Sequence, residues 1–310
     1  MKYSKNWLQD YIENPLPGGD EIPEILNKKA FEVEDMLYIS DDIIFDIKVL
    51  PNRAHDALGH RAMAHEIISC LYRPASEKKN PTYTITSSPS VSSPQIVIED
   101  EKACTRFMSV RIDDVKVESS QAWLKERLES IGQRSINNIV DITNYVQFSL
   151  NKPMHAYDSR SITGTLRARF AKEGETLTTL DDKELKLDTE TLVIADDGKV
   201  LGLAGIKGGK FSGIKSDTTS VTLESANFDP TLTRKTSEKY GIKTDASKLF
   251  ENGIANSLIE EGLLMTAKMI QDMYPQAKIS EVVDVYPKKD EERYISFTTD
   301  EINKILGTAY

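Results

Sequence analysis

Thr191-Leu192-Val193-Ile194-Ala195-Asp196-Asp197-Gly198-Lys199-Val200-Leu201-Gly202-Leu203-Ala204-Gly205 holds two short apolar runs on either side of Asp197-Gly198. Asp-Gly between strand-like runs signals a tight antiparallel hairpin, because both residues tolerate the backbone such a turn requires. A parallel pair would need a crossover of a dozen or more residues instead. Working outward, strand-like runs lie at Phe107–Val115, Thr165–Ala171, Val221–Leu223 and Ile279–Val285, and helical spacing of apolar residues runs through Gln121–Ile131, about Asn138–Ser149 and Ser257–Met273. Gly132 is placed to end the first of these helices and Pro275 to stop the last. Strands and helices mix without βαβα alternation, so the expected fold is α+β with a largely antiparallel sheet.

Toward the N-terminus, residues 1–73 read as a separate small α/β domain. Ser4 and Asp20 are candidate caps of two helices. Phe31–Ile39 and Ile43–Leu50 read as strands joined through Ser40-Asp41-Asp42, and a helix is expected over Ala57–Tyr72. Residues 74–95, rich in Ser, Thr and Pro, read as a linker. The larger domain then covers 96–287. Residues 288–310 read as the start of a further, cut-off unit, with a strand start at Ile295-Ser296-Phe297 and a short helix over Asp300–Leu306.

The chain has 310 residues, 39% hydrophobic and 28% charged, enough for a real core. No apolar run approaches the roughly 18 residues of a membrane span, and no signal peptide is visible, so a cytoplasmic protein without a membrane partner is expected. A net charge of −10 argues against coating nucleic acid by bulk attraction, though a local patch can still meet an RNA. Cys70 and Cys104 lack CxxC spacing and read as buried thiols. His55, His60 and His65 are five apart, about 140° round a helix from one to the next, so no metal site is expected.

Four polar, structure-breaking clusters stand out: Asn144–Asp158, Gly205–Gly213, Leu223–Pro230 and Thr244–Gly253. His155 follows a helix-ending Pro153 and reads as either a structural or a functional histidine. Glu224 ends the apolar run Val221-Thr222-Leu223; it faces solvent or is a buried acceptor waiting for a ligand hydroxyl. Four glycines in Gly205–Gly213 do not form a phosphate-loop motif, but they let backbone approach a ligand. Thr244-Asp245-Ala246-Ser247 reads equally as a helix cap. Arg167 and Arg169 share a strand face, solvated or facing phosphate.

Together these residues resemble the β subunit of bacterial phenylalanyl-tRNA synthetase over nearly the whole chain. Ser4-Lys5-Asn6-Trp7-Leu8, Phe31-Glu32-Val33-Glu34 and Pro51-Asn52-Arg53-Ala54-His55-Asp56 are similar to that subunit's N-terminal domain, and Val140-Asp141-Ile142-Thr143-Asn144-Tyr145-Val146 with Pro153-Met154-His155-Ala156-Tyr157-Asp158 to its editing domain. The resemblance implies hydrolysis of tyrosine mischarged onto phenylalanine tRNA. It places His155 by the ester and terminal adenosine, makes Glu224 the acceptor of the tyrosine hydroxyl, and lines the aminoacyl pocket with Gly208, Thr244 and Ala246, with Thr143 and Asn144 nearby. It implies phenylalanine tRNA and a catalytic α subunit as partners, in a heterotetramer. The resemblance implies that the C-terminal domains holding the catalytic α subunit are missing, so no aminoacylation by this chain alone and no cofactor on it are expected, although the parent enzyme uses ATP and magnesium. A non-catalytic tRNA-docking piece and a free-standing trans-editing protein are the alternatives. Departures from the family pattern are a bare turn at 40–42 where relatives insert an OB-fold, Tyr157 for the commoner Phe, and Leu249 and Asn252 for residues often Arg.

Overall fold

The computed structural model describes residues 1–71, 81–292 and 294–309. The first stretch builds a three-stranded antiparallel sheet, β1 (Lys2–Ser4), β3 (Asp42–Lys48) and β2 (Glu32–Ile39) in that spatial order, packed on α1 (Lys5–Gln9), α2 (Glu21–Lys29), α3 (Pro51–Ala57) and α4 (His60–Cys70). Ser4 caps α1 as expected, its Oγ accepting from Trp7 N at 3.0 Å. Asp20 stands at the start of α2 but makes no side-chain cap. The helix expected over Ala57–Tyr72 is instead two helices parted at Gly59, while Tyr72 lies outside the described residues. A Cβ on Gly59 would sit 2.7 Å from Asn151 N, so close backbone approach breaks the helix there.

The larger part contains two five-stranded sheets. Sheet C runs β14 (Lys278–Ile279), β5 (Cys104–Asp113), β13 (Ser220–Phe228), β6 (His155–Asp158), with β15 (Val283–Val285) also on β5. Sheet D runs β12 (Lys207–Gly208), β11 (Val200–Leu203), β10 (Leu192–Ala195), β7 (Thr165–Phe170), β4 (Gln95–Ile98). Only the β4–β7 pair is parallel among the described strands, and a small hairpin, β8 (Thr176–Thr178) with β9 (Glu184–Lys186), stands apart, so the class is α+β. The β10–β11 hairpin forms, but through a four-residue turn in which the Asp196 carboxylate accepts from Gly198 N (2.8 Å) and Lys199 N (2.7 Å). Neither Asp197 nor Gly198 has positive φ.

One face of sheet C packs on α5 (Ala122–Ser130), α6 (Asn138–Leu150) and α9 (Ser257–Met273). Its other face meets sheet D through Phe107, Tyr157, Ala226, Phe228, Leu166, Ile194 and Leu201. Two helices that the periodicity does not show, α7 (Pro230–Tyr240) and α8 (Asp245–Phe250), follow β13. α6 ends at Asn151, in a left-handed conformation (φ 60°), not at Pro153. Of the stretch read as a linker, 74–80 lies outside the described residues, Ser88 N donates to Ile279 O at the edge of sheet C, and Gln95 already belongs to β4 of sheet D. Ile295-Ser296-Phe297 forms no strand; α10 (Thr299–Leu306) forms, with a capping box from Thr298. Among the described residues no helix is long and apolar enough to cross a membrane.

The N-terminal stretch is locked to the rest by a ring stack. Trp7 lies 4.0 Å from His60 and 4.7 Å from Tyr145, centroid to centroid. His60 Nδ1 lies 2.9 Å from Phe148 O, and Ser4 N donates to His60 Nε2 at 3.2 Å, which requires a neutral ring with its proton on Nδ1. Burial pushes the His60 imidazole down to about 3 from its ordinary 6.5. Folded, the ring stays neutral, whereas unfolded it takes a proton below pH 6.5. The stability it contributes is whole above pH 6.5 and drains as pH falls toward the folded value, by about 3 kcal/mol at pH 4. Urea unfolding at pH 7 and pH 4 should show that loss in the wild type and a flatter dependence in His60→Asn; parallel dependences would refute the assignment.

Candidate functional site

β6 and β13 are antiparallel neighbours in a register that sets His155 directly opposite Glu224 and Tyr157 opposite Thr222. Side chains alternate along a strand, so His155, Tyr157, Thr222 and Glu224 share one face, the face turned to sheet D. Ala156 and Leu223 point the other way, into the helix-covered core. Glu224 therefore does not end its strand. β13 continues four residues beyond it with all nine of its residues buried, and Glu224 itself is 7% exposed, which excludes the solvent-facing reading.

Between the sheets lies a cavity of about 80 Å³, with Glu224, Tyr157 and His155 on one side and Ile194, Leu203, Phe250 and Ala246 among its apolar walls. It adjoins a wider groove of about 470 Å³, and Met154, His155, Ile206, Lys207, Gly208 and Ala246 line both. Thr143, Asn144 and Thr244 line the groove and not the cavity. Thr143 Oγ1 donates back to Val140 O at 2.6 Å, so its hydroxyl is occupied within the helix. Thr244 caps α8 through a reciprocal box with Ser247, and its hydroxyl donates to Ile206 O at 2.9 Å, tying the helix start to the glycine-rich loop. Thr244 thus caps α8, as one reading of the segment has it, while Thr244 and Ala246 also line the groove.

Gly208 faces His155. A Cβ there would lie 2.5 Å from His155 Cε1 and 2.8 Å from Nε2, so only glycine lets the loop approach the ring. His155 Nε2 is buried and has no hydrogen-bond partner among the described residues, and burial pushes the imidazole down to about 4, leaving it neutral at pH 7. An unpaired buried ring nitrogen is a cost that a ligand or water can relieve. The Tyr157 ring meets the imidazole edge-on, 4.5 Å between centroids, and its phenol donates to Glu224 Oε2.

Sequence reasoning missed Lys152. It is fully buried, its Nζ donating to Pro153 O (2.6 Å) and Ala226 O (3.0 Å), 5.2 Å from the Phe250 ring centre. Burial pushes Lys152 down and Glu224 up from their ordinary values, and each charge favours the other. Nothing local in Asn151-Lys152-Pro153 signals a buried amine. Nor does sequence spacing signal Ile194, Leu203 or Phe250 as walls. Arg167 and Arg169 are not free for phosphate: Arg169 is buried and held by both Glu175 oxygens (2.7 and 2.9 Å), and Arg167 pairs with Asp197 at 3.1 Å.

Residues 103–275, more than half of the chain, match the B3/4 domain. The chain belongs to the B3/4 domain family. Its sequence is 37% identical over 269 residues to the phenylalanine–tRNA ligase beta subunit of Fusobacterium nucleatum, covering 86% of this chain and 33% of that protein. The beta subunit of Clostridium acetobutylicum is 34% identical over 297 residues, 96% of this chain and 36% of its own length. The chain thus spans about a third of the relatives it matches. A crystal structure of an N-terminal fragment of the phenylalanyl-tRNA synthetase β subunit from Pyrococcus horikoshii aligns with a TM-score of 0.50 over 100% of this chain and 85% of that one; at 14% identity it speaks for the fold alone. The resemblance read from the sequence is thereby established, and the B3/4 match takes in β5 to α9, which build the walls of the cavity.

Proposed function

We propose that the B3/4 domain of this chain is an aminoacyl-ester hydrolase that clears tyrosine mischarged onto phenylalanine tRNA, as the editing portion of a phenylalanine–tRNA ligase β subunit. The observation that carries this reading is an orphaned, neutral His155 Nε2 at the neck of an apolar cavity whose inner polar group is Glu224. The intact enzyme would add the α subunit and the remaining tRNA contacts. The division into 1–73, 96–287 and a unit starting at 288 belongs to the same proposal, as does a cytoplasmic location.

In this reading the tyrosyl side chain enters between the sheets and its phenol donates to Glu224. The ester lies in the groove beside His155, with the terminal ribose near Asn144 and Thr244. Water attacks the ester carbonyl, the bond to the ribose oxygen breaks, and free tyrosine and tRNA leave. His155 offers its free nitrogen to the attacking water or to a ribose hydroxyl. Selection follows from desolvation. An apolar pocket built for Phe cannot strongly reject an added hydroxyl, whereas a buried carboxylate is left short of a partner by Phe and satisfied by Tyr, a difference of about 1–3 kcal/mol.

Deacylation of tyrosyl- and phenylalanyl-tRNA(Phe) tests it. Glu224→Ala is expected to cut the tyrosyl-to-phenylalanyl ratio of kcat/KM about tenfold, roughly 1.4 kcal/mol, and also to lower stability, because it leaves the buried Tyr157 phenol without its acceptor. Absence of tyrosyl hydrolysis by the wild type would reduce the domain to a tRNA-docking piece. An unchanged ratio alongside a loss of stability would return Glu224 to a structural role.

A further inference from the structure

We propose that Tyr157 is the positioning residue of the hydroxyl-reading carboxylate: from inside the fold it ties down one oxygen of Glu224 so that the other is presented to the cavity. The inference rests on the reading of this cavity as the aminoacyl pocket, and it adds a residue to which that reading gives no part.

Tyr157 is 2% exposed and packs in the core between the sheets with Phe107, Phe228 and Ile194. Its position on β6, two residues from His155 and diagonal to Glu224 across the strand pair, brings its phenol to Glu224 Oε2. That is the one hydrogen bond of the Glu224 side chain among the described residues. Oε1 has no hydrogen-bond donor among the described residues, and Glu224 is one of the residues that line the cavity. The two oxygens thus differ in that Oε2 is held by Tyr157 and Oε1 keeps its acceptor capacity for a ligand.

The arrangement solves a problem that a lone glutamate at this place would face. Its side chain has three rotatable bonds, and burial disfavours its charge. Without an internal donor its carboxylate would be less firmly held and, with only the Lys152 charge left to favour ionisation, more readily protonated, and either change weakens it as an acceptor for a ligand hydroxyl. A donated phenol hydrogen opposes both, because it fixes the carboxylate and favours its ionised form. The ring also rests against His155, so one buried residue braces the carboxylate at the inner end and the imidazole at the neck.

Tyr157→Phe keeps the ring and deletes only the donor. In the same two deacylation assays the variant is expected to lower the tyrosyl-to-phenylalanyl ratio of kcat/KM fivefold or more, chiefly through KM for the tyrosyl substrate. In a Glu224→Ala background the same change should move the ratio less than twofold, since a residue acting through Glu224 has nothing left to position. A readout free of catalysis is the ¹³C-detected titration of the Glu224 carboxyl, whose midpoint should move upward in Tyr157→Phe. An unchanged ratio with an unchanged midpoint overturns the proposal. So does a raised ratio, which would make Tyr157 a competitor for the same oxygen. A wild type that hydrolyses neither ester counts against the editing reading, while the titration still decides whether Tyr157 holds Glu224.

Discussion

Gly208→Ala is expected to lower hydrolysis of tyrosyl-tRNA about 100-fold, with a far smaller effect on stability. The position has no left-handed φ, so alanine carries no backbone penalty there. The added methyl would instead fall 2.5–2.8 Å from His155 Cε1 and Nε2, closer than any carbon contact allows, with Leu180 Cδ1 at 3.5 Å on the other side. The imidazole must swing aside, and the methyl takes its place at the neck shared by cavity and groove. Displacing a reacting or orienting group by about 1 Å costs on the order of 10²-fold in rate, because the near-attack geometry is lost. Single-turnover deacylation alongside thermal unfolding checks this. A wild-type rate in Gly208→Ala would show that neither the neck nor the ring orientation matters, and it would remove the observation on which the hydrolase reading stands.

Trp7→Ala is expected to destabilise the chain by about 3–5 kcal/mol, the range for deleting a large aromatic from a packed core. Trp7 belongs to a five-residue helix of the N-terminal stretch, yet its ring is fully buried among residues of the other part, including Leu124, Ile139, Ile142 and Tyr145. Removing it empties the space between His60 and Tyr145 and takes out the centre of the stack. The consequence reaches the site. The N-terminal stretch braces the turn that leads into His155: Asn151 Nδ2 donates to Ala54 O (3.2 Å) and His55 O (3.0 Å), and Gly59 packs on Asn151 N. Loosening should therefore appear both in the urea midpoint and as faster proteolysis near 151–155. A midpoint shift under 1 kcal/mol would show that the two parts are joined mainly by other contacts, such as Arg61 Nη2 on Glu261 Oε2 at 2.8 Å.

Much of the fold is legible where the governing signal is local. Ser257–Met273 is helical over the expected span, because Ile259, Leu263, Ala267 and Ile270 form one apolar stripe. Gly132, with φ 85°, accepts the left-handed turn after α5. α7 is hidden because Pro230–Tyr240 carries three threonines, a serine and hardly any apolar residue; the capping of Leu232 N by Asp229 and the Pro at its start support a helix that periodicity does not advertise. The length of β13 is hidden because Glu224, Ser225 and Asn227 look like a strand's end. They are buried with partners from elsewhere: Ser225 Oγ donates to Ile259 O, and Asn227 Nδ2 to Ile254 O. The Arg167–Arg169 face was legible as a face, but not the carboxylates that occupy it.

For the site, the amino-acid sequence by itself determined which residue types stand at the candidate positions, His155 and Glu224 among them, and that Gly205–Gly213 can let backbone come close, since residue type and glycine content are local properties. Only the tertiary structure decided that His155 and Glu224 stand opposite each other, that Asn144, Thr143 and Thr244 belong to the groove outside, and that Tyr157 holds the carboxylate. The physical reason is strand register. Pairing β6 with β13 joins residues 67 apart in sequence, as Tyr157 and Glu224 are, and a slip by one residue would have turned Glu224 into the helix-covered core. The cost of burying a carboxylate, an amine and an imidazole together is likewise set by what the second sheet lays over them, which no residue's near neighbours in the chain reveal.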